Sequence, residues 1–122
     1  MSIKRFDPVI YPQKLWISVE NDFKKLNGLF SDPDDNNDFD FGKYDNYKAI
    51  TAKALEKETR DFGVLIIFRP KYLDCRTIAH EASHAAGYIF QHINAYMDCG
   101  EPTAYLIEWI ADCCWQCRKK TK

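Results

Sequence analysis

Two apolar stretches of the chain predict strands of a sheet. In residues 9–19, Leu15, Ile17 and Val19 occupy every second position, which is the spacing of one face of a strand. Residues 63–69 form a short, continuous and β-branched run that ends at a proline, and this is typical of a buried strand.

Residues 44–60 allow two interpretations. The composition of residues 49–58 favours a helix. Residues 57–63, however, look like the connection of a hairpin in which residues 47–55 pair antiparallel with residues 63–68. The residues by themselves leave both interpretations open, and we favour the hairpin.

A short helix and a polar loop are predicted between these strands. Residues 20–30 carry three apolar side chains at helical spacing, and either Ser18 or Asn21 is a candidate N-cap. Residues 31–42 contain five aspartates but lack the spacing of a helix–loop–helix calcium site. We therefore predict an acidic, flexible surface loop for residues 31–42, which can overhang a cleft.

Two long helices are predicted in the last part of the chain. The first has Thr77 as its N-cap, carries an apolar stripe and runs to about Tyr96. The second begins at Glu101 and Pro102, because proline is accepted in a first helical turn, and continues to about Cys117. Together with the strands they predict an α+β fold, in which a small antiparallel sheet packs on two long helices.

Composition narrows the class of protein. A chain of 122 residues predicts a single domain over residues 1–122, and 46% hydrophobic residues suffice for a core. The net charge of -1 gives no electrostatic reason to expect nucleic acid or an anionic membrane as a partner. Since the first residues lack the features of a signal peptide and no apolar run approaches the length of a membrane span, a cytoplasmic location is expected.

The motif His80-Glu81-x-x-His84 predicts a zinc site. Residues four apart lie on one face of a helix, so both imidazoles can bind one Zn2+ ion. Glu81 lies beside this face, where a carboxylate can take a proton from a metal-bound water. His92 is too far along the same helix to share the ion.

The third ligand must come from outside the motif. Glu101 lies 17 residues beyond His84 and is the first candidate, because an antiparallel second helix would return toward the metal helix. Glu108, two turns further along, is the alternative ligand or a hydrogen-bond partner of a histidine. Tyr105 lies one turn after Glu101 and is a candidate catalytic residue that steadies an oxyanion, although a packing role is the more frequent one for such a tyrosine.

A cysteine cluster near the end of the chain is the rival metal site. Cys113, Cys114 and Cys117 supply one C-x-x-C pattern, but a structural zinc site needs four ligands and the chain has no second C-x-x-C. We therefore expect reduced cysteines on a packing face of the helix.

The chain resembles the gluzincin branch of the zincin metallopeptidases, and more narrowly a group of small phage and gut-bacterial proteins. The resemblance rests on the motif and on five stretches: residues 6–16, 56–59, 63–66, 77–81 and 101–106. It implies His80, His84 and Glu101 as zinc ligands, Glu81 as the base, and the hairpin. Glu108 falls at a position that is often glycine in that group, which weakens it as a ligand. In zincins the sheet edge beside the metal holds an extended peptide.

Two functions follow as expectations. The first is a zinc-dependent metallopeptidase or amide hydrolase that acts on a peptide or protein substrate, in the host cytoplasm if a phage encodes it. The alternative is a non-catalytic interaction protein with a zincin fold, which binds a phage or host factor with or without metal.

Overall fold

The computed structural model describes residues 3–118 and contains five strands and two long helices. The strands are β1 (Ile3–Phe6), β2 (Lys14–Val19), β3 (Phe30–Ser31), β4 (Ala49–Glu56) and β5 (Phe62–Phe68). The helices are α1 (Cys75–His92) and α2 (Glu101–Gln116), and three single turns of 3-10 helix cover Phe23–Leu26, Phe41–Tyr44 and Pro70–Tyr72. The predicted α+β class is confirmed.

The strands form one sheet in the order β1-β2-β5-β4-β3. β4 and β5 pair antiparallel as a hairpin, so the hairpin interpretation is confirmed and the helix interpretation of residues 49–58 is wrong. β2 and β5 run parallel, which makes the sheet mixed instead of wholly antiparallel. Within the described residues, β3 covers only Leu55 and Glu56 of β4, and the first six residues of β4 therefore form an edge of the sheet.

Each face of the sheet has its own apolar layer. On one face, alternate residues of the central strands, such as Ile17 and Ile66, pack against α1 and α2. On the other face, Trp16 and Leu65 pack against aromatic side chains from the segment between β2 and β4, including Phe23 and Phe41. The alternation of side chains along a strand thus directs each central strand into both layers.

The first predicted strand is shorter than its apolar pattern. β2 begins at Lys14, and residues 7–13 form the connection from β1, which the prediction missed. Val9 has a φ of 67° and its side chain is 86% exposed, so the apolar residues at 9 and 10 belong to a turn. The apolar pattern of residues 9–19 therefore does not show at which residue β2 begins to pair with its neighbouring strands.

The predicted helix caps are corrected. Of the helix predicted for residues 20–30, the structure forms the 3-10 turn Phe23–Leu26, which is capped by Asp22 and not by Ser18 or Asn21, while Phe30 already belongs to β3. Asp74 caps α1, because its side chain accepts the backbone N–H of Thr77, and α1 therefore begins at Cys75. α1 ends at His92 instead of about Tyr96, while α2 begins at Glu101 as predicted.

Local hydrogen bonds shape the acidic loop. The side chains of Asp32, Asp35 and Asp40 each accept the backbone N–H of the residue two positions further on. Lys53 and Lys57 pair with two further aspartates of the loop.

In the described part of the chain, no helix combines the length and the apolar character that crossing a membrane requires.

Candidate metal centre

His80 and His84 bring their ring nitrogens together on the exposed side of α1. Their Nε2 atoms lie 3.2 Å apart, and the two rings meet edge to face with centroids 4.8 Å apart. Two nitrogen ligands at about 2.0–2.1 Å from a tetrahedral zinc ion are about 3.3 Å apart. The pair therefore has the separation of two zinc ligands, and it equally suits a hydrogen bond between one protonated and one unprotonated nitrogen.

Glu81 points away from solvent, toward the sheet. Its side chain is 8% exposed, whereas that of His80 is 65% exposed. The hydroxyl of Thr51 on β4 donates a hydrogen bond of 2.7 Å to Glu81 Oε1. The other carboxylate oxygen, Oε2, lies 3.9 Å from His80 Nε2. Glu81 is thus anchored by one oxygen and presents the other toward the histidine pair.

A cleft runs between α1 and the unpaired edge of β4. A cavity of about 240 Å³ in this cleft has the side chains of His80, Glu81 and His84 on one wall. Aromatic side chains supply much of the remaining lining: Phe39, Phe41, Tyr44, Tyr47 and Tyr88. Phe39 and Phe41 lie within residues 31–42, so the acidic loop contributes two side chains to the lining of the cleft.

The edge of β4 offers free backbone groups to this cleft. Arg69 N–H donates to Lys48 C=O, and Glu56 N–H donates to Asp61 C=O, so the even-numbered residues of β4 face β5. In an antiparallel pair this orientation alternates, which turns the N–H and C=O groups of Ala49, Thr51 and Lys53 outward. Within residues 3–118, β3 does not extend to these positions. The cleft therefore exposes a strand edge with which an extended peptide segment can form backbone hydrogen bonds.

The structure does not bring the other predicted site residues to the histidine pair. Glu101, Glu108 and Tyr105 are exposed on α2, and Tyr105 is 62% exposed. Across residues 3–118, no three side chains of the His, Cys, Asp or Glu type are grouped closely enough to hold a metal ion. The third ligand stays a prediction.

The direction of α2 explains where Glu101 lies. α1 and α2 pack against each other in one apolar cluster and are joined by the short segment of residues 93–100, so α2 begins level with the end of α1 and runs back along it. Glu101 precedes Cys114 by 13 residues, which is about 20 Å along the helix axis. Glu101 and Tyr105 are therefore level with the end of α1, beyond His84.

The cysteines behave as packing residues. Cys113 and Cys114 are buried on the face of α2 that contacts the core, and Cys117 is partly buried. Burial raises the pKa of the Cys113 thiol to about 12, and it also raises the pKa values of Cys114 and Cys117. Within residues 3–118, these cysteines belong to no group of side chains that could hold a metal ion, so the described structure does not supply the rival zinc site.

Thr51 and the aromatic lining were missed from the sequence. Thr51 is a polar residue in a strand whose neighbours are mainly apolar, and that contrast was the only local signal for it. The aromatic residues at 39, 41, 44 and 47 are closely spaced, but their spacing fits neither a helix nor a strand. Only tertiary packing places them at the cleft, because the segment that carries them packs on the face of the sheet opposite α1.

Comparison of the chain with protein-family models, with curated proteins and with solved structures found no match. The geometry of this cleft is therefore the basis for assigning a function.

Proposed function

We propose that the protein is a zinc-dependent hydrolase that cleaves a peptide or amide bond in the cleft between α1 and β4. The observation that carries the proposal is the 3.2 Å separation of His80 Nε2 and His84 Nε2, with the anchored Glu81 carboxylate beside them. Two imidazoles at this distance fit a tetrahedral ion, and the chemistry of the donor set suits Zn2+.

Each side chain of the motif has a distinct part in the proposed reaction. His80 and His84 would hold the ion, which when bound polarises a carbonyl and makes water more acidic. Glu81 Oε2 is free of the Thr51 hydrogen bond and faces the pair, so Oε2 is the atom that takes a proton from the attacking water. The same oxygen then returns the proton to the leaving nitrogen.

The substrate in this proposal lies along the edge of β4. The outward backbone groups of Ala49, Thr51 and Lys53 would hydrogen-bond to an extended peptide, as in strand addition. This places the backbone of the peptide beside Glu81, because Thr51 contacts that carboxylate directly. Glu101, the third ligand implied by the resemblance, would reach the pair only if α2 shifted relative to its described position.

A second function, the non-catalytic interaction protein, is favoured by one observation. The described residues supply two zinc ligands and no third. In this alternative, the edge of β4 and the aromatic lining hold a peptide segment of a partner protein, and Glu81 plays no chemical part.

Metal content tests the site first. We expect about one zinc per chain in the untagged protein, loss of that zinc in His84→Ala, and its retention in His92→Ala. His92 is a matched control because it lies at the end of α1, away from the pair, and its ring packs against that of Phe62 at a centroid distance of 4.4 Å. Absence of zinc from every variant, even after zinc is supplied, would refute the hydrolase.

Cleavage separates the two functions. We expect the zinc-loaded wild type to cleave members of a peptide library and Glu81→Gln to leave them intact while it keeps its zinc. Equal cleavage by both proteins would show that Glu81 is not the base. A protein that binds zinc and peptides but cleaves none would support the interaction protein.

A further inference from the structure

A second cavity opens on the other side of Glu81 and differs in character from the aromatic one. It measures about 290 Å³ and is lined by Lys48, Ala49, Arg76, Thr77, His80 and Glu81. Ala49, His80 and Glu81 also line the aromatic cavity, so the two cavities flank Glu81 along one cleft. The second cavity lies toward the first residues of β4 and α1.

Two cations give this cavity its charge. Lys48 and Arg76 are exposed, and in the described part of the chain neither forms an ion pair with a carboxylate. The Lys48 ammonium lies 5.2 Å from the centre of the Tyr72 ring, and the residue is nevertheless exposed to solvent. Among residues 3–118, Glu81 is the one carboxylate that lines the cavity, so the positive charge of the two cations predominates.

Asp74 is the neighbouring carboxylate that would most easily offset these cations. Hydrogen bonds from Thr77 are the main cause of its lowered pKa, and the charges of Arg76 and Lys48 add less. Its side chain is committed to the cap of α1 and does not line the cavity. The guanidinium and the ammonium therefore remain available to an anionic ligand.

We propose that Lys48 and Arg76 bind a carboxylate of an extended peptide whose apolar or aromatic residue occupies the cavity lined by Phe39, Tyr44 and Tyr47. The inference deepens the proposed function, on which it rests for the statement that this peptide is a substrate cleaved beside Glu81. Strand addition pairs residues one to one, so the carboxylate and the aromatic residue would be about two to four residues apart.

The carboxylate has two sources, an acidic side chain or the free C-terminus of the peptide. A C-terminal carboxylate at Lys48 would place the end of the peptide beside the start of β4. The peptide would then run antiparallel to β4. An acidic side chain is compatible with either direction.

Random hexapeptide arrays distinguish these sources. We would probe them with the zinc-supplied Glu81→Gln protein, once with the peptides attached through their C-termini and once through their N-termini. We expect the bound peptides to be enriched in an acidic residue near an apolar or aromatic one. Enrichment of acidic residues in both formats identifies the side chain, whereas binding confined to free C-termini identifies the terminal carboxylate.

Charge reversal tests the two cations. In a background of Glu81→Gln, we would combine Lys48→Glu with Arg76→Glu. We expect this variant to bind the selected acidic peptides at least about tenfold more weakly and to bind lysine-containing counterparts instead. Lys4→Glu with Arg118→Glu is the matched control, because both residues are exposed, line a different cavity and change the net charge equally. Thermal unfolding monitored by circular dichroism would verify that each variant folds.

The outcomes separate this inference from the proposed function. Selected peptides without a carboxylate, equal effects of the two charge reversals, or no peptide binding at all would overturn the inference. Carboxylate-dependent binding without cleavage by the zinc-loaded wild type would support the inference and refute the hydrolase.

Discussion

The hydrogen bond between Thr51 and Glu81 gives the sharpest test of how the cleft is built. Thr51→Val removes the hydroxyl and keeps the shape of the side chain, so Glu81 Oε1 loses its 2.7 Å partner while the carboxylate stays buried. Hydrogen bonds to charged groups contribute about 1.5–3 kcal/mol, and Thr51 is only partly buried, so we expect a loss of about 1–2 kcal/mol. For a chain of 122 residues, this lowers Tm by about 4–8 °C.

A double-mutant cycle isolates that interaction. We would measure urea unfolding by tryptophan fluorescence for wild type, Thr51→Val, Glu81→Ala and the double variant, all with a chelator so that metal makes no contribution. The coupling free energy should be about 1–2 kcal/mol, and Thr51→Ser should retain more of the stability because it keeps the hydroxyl. A coupling below about 0.3 kcal/mol would refute the view that Thr51 anchors Glu81.

Three further predictions concern the framework around the cleft. Gly63→Ala should destabilise the fold by about 3 kcal/mol in urea unfolding, because its new Cβ would lie 2.0 Å from a backbone oxygen of β2; an unchanged midpoint would contradict this contact. Asp74→Ala should lower Tm at neutral pH. Since the pKa of Asp74 is lowered in the fold, the difference from wild type should persist above the ordinary pKa of 3.8 and vanish as pH falls through the folded value; a pH-independent difference would contradict the charged cap. A thiol reagent at pH 8 should modify exposed Cys75 and Cys99 quickly and Cys113 only after unfolding, as peptide mapping would show; rapid modification of Cys113 in the native protein would contradict its burial.

The sequence determined those features that depend on neighbours along the chain. An apolar run and a proline in a first turn predicted β5 and the start of α2, which the structure confirms. The β4–β5 hairpin was not determined in this way, because the composition of residues 49–58 favoured a helix and only pairing with β5 decides for a strand. The spacing of His80 and His84 was equally decisive, because residues four apart on a helix meet whatever the rest of the fold does. The geometry of the helix alone therefore determines that the side chains of His80 and His84 lie together.

The tertiary structure alone decided what surrounds that pair. The edge of β4 lies beside α1 because the sheet packs its apolar face on the helices, and this contact brings Thr51 to Glu81 across 30 residues of sequence. The sequence also did not predict which part of α1 lies opposite Glu101. Spacing measures the length of chain between two residues, whereas the antiparallel packing of α2 determines which end of α1 each residue faces.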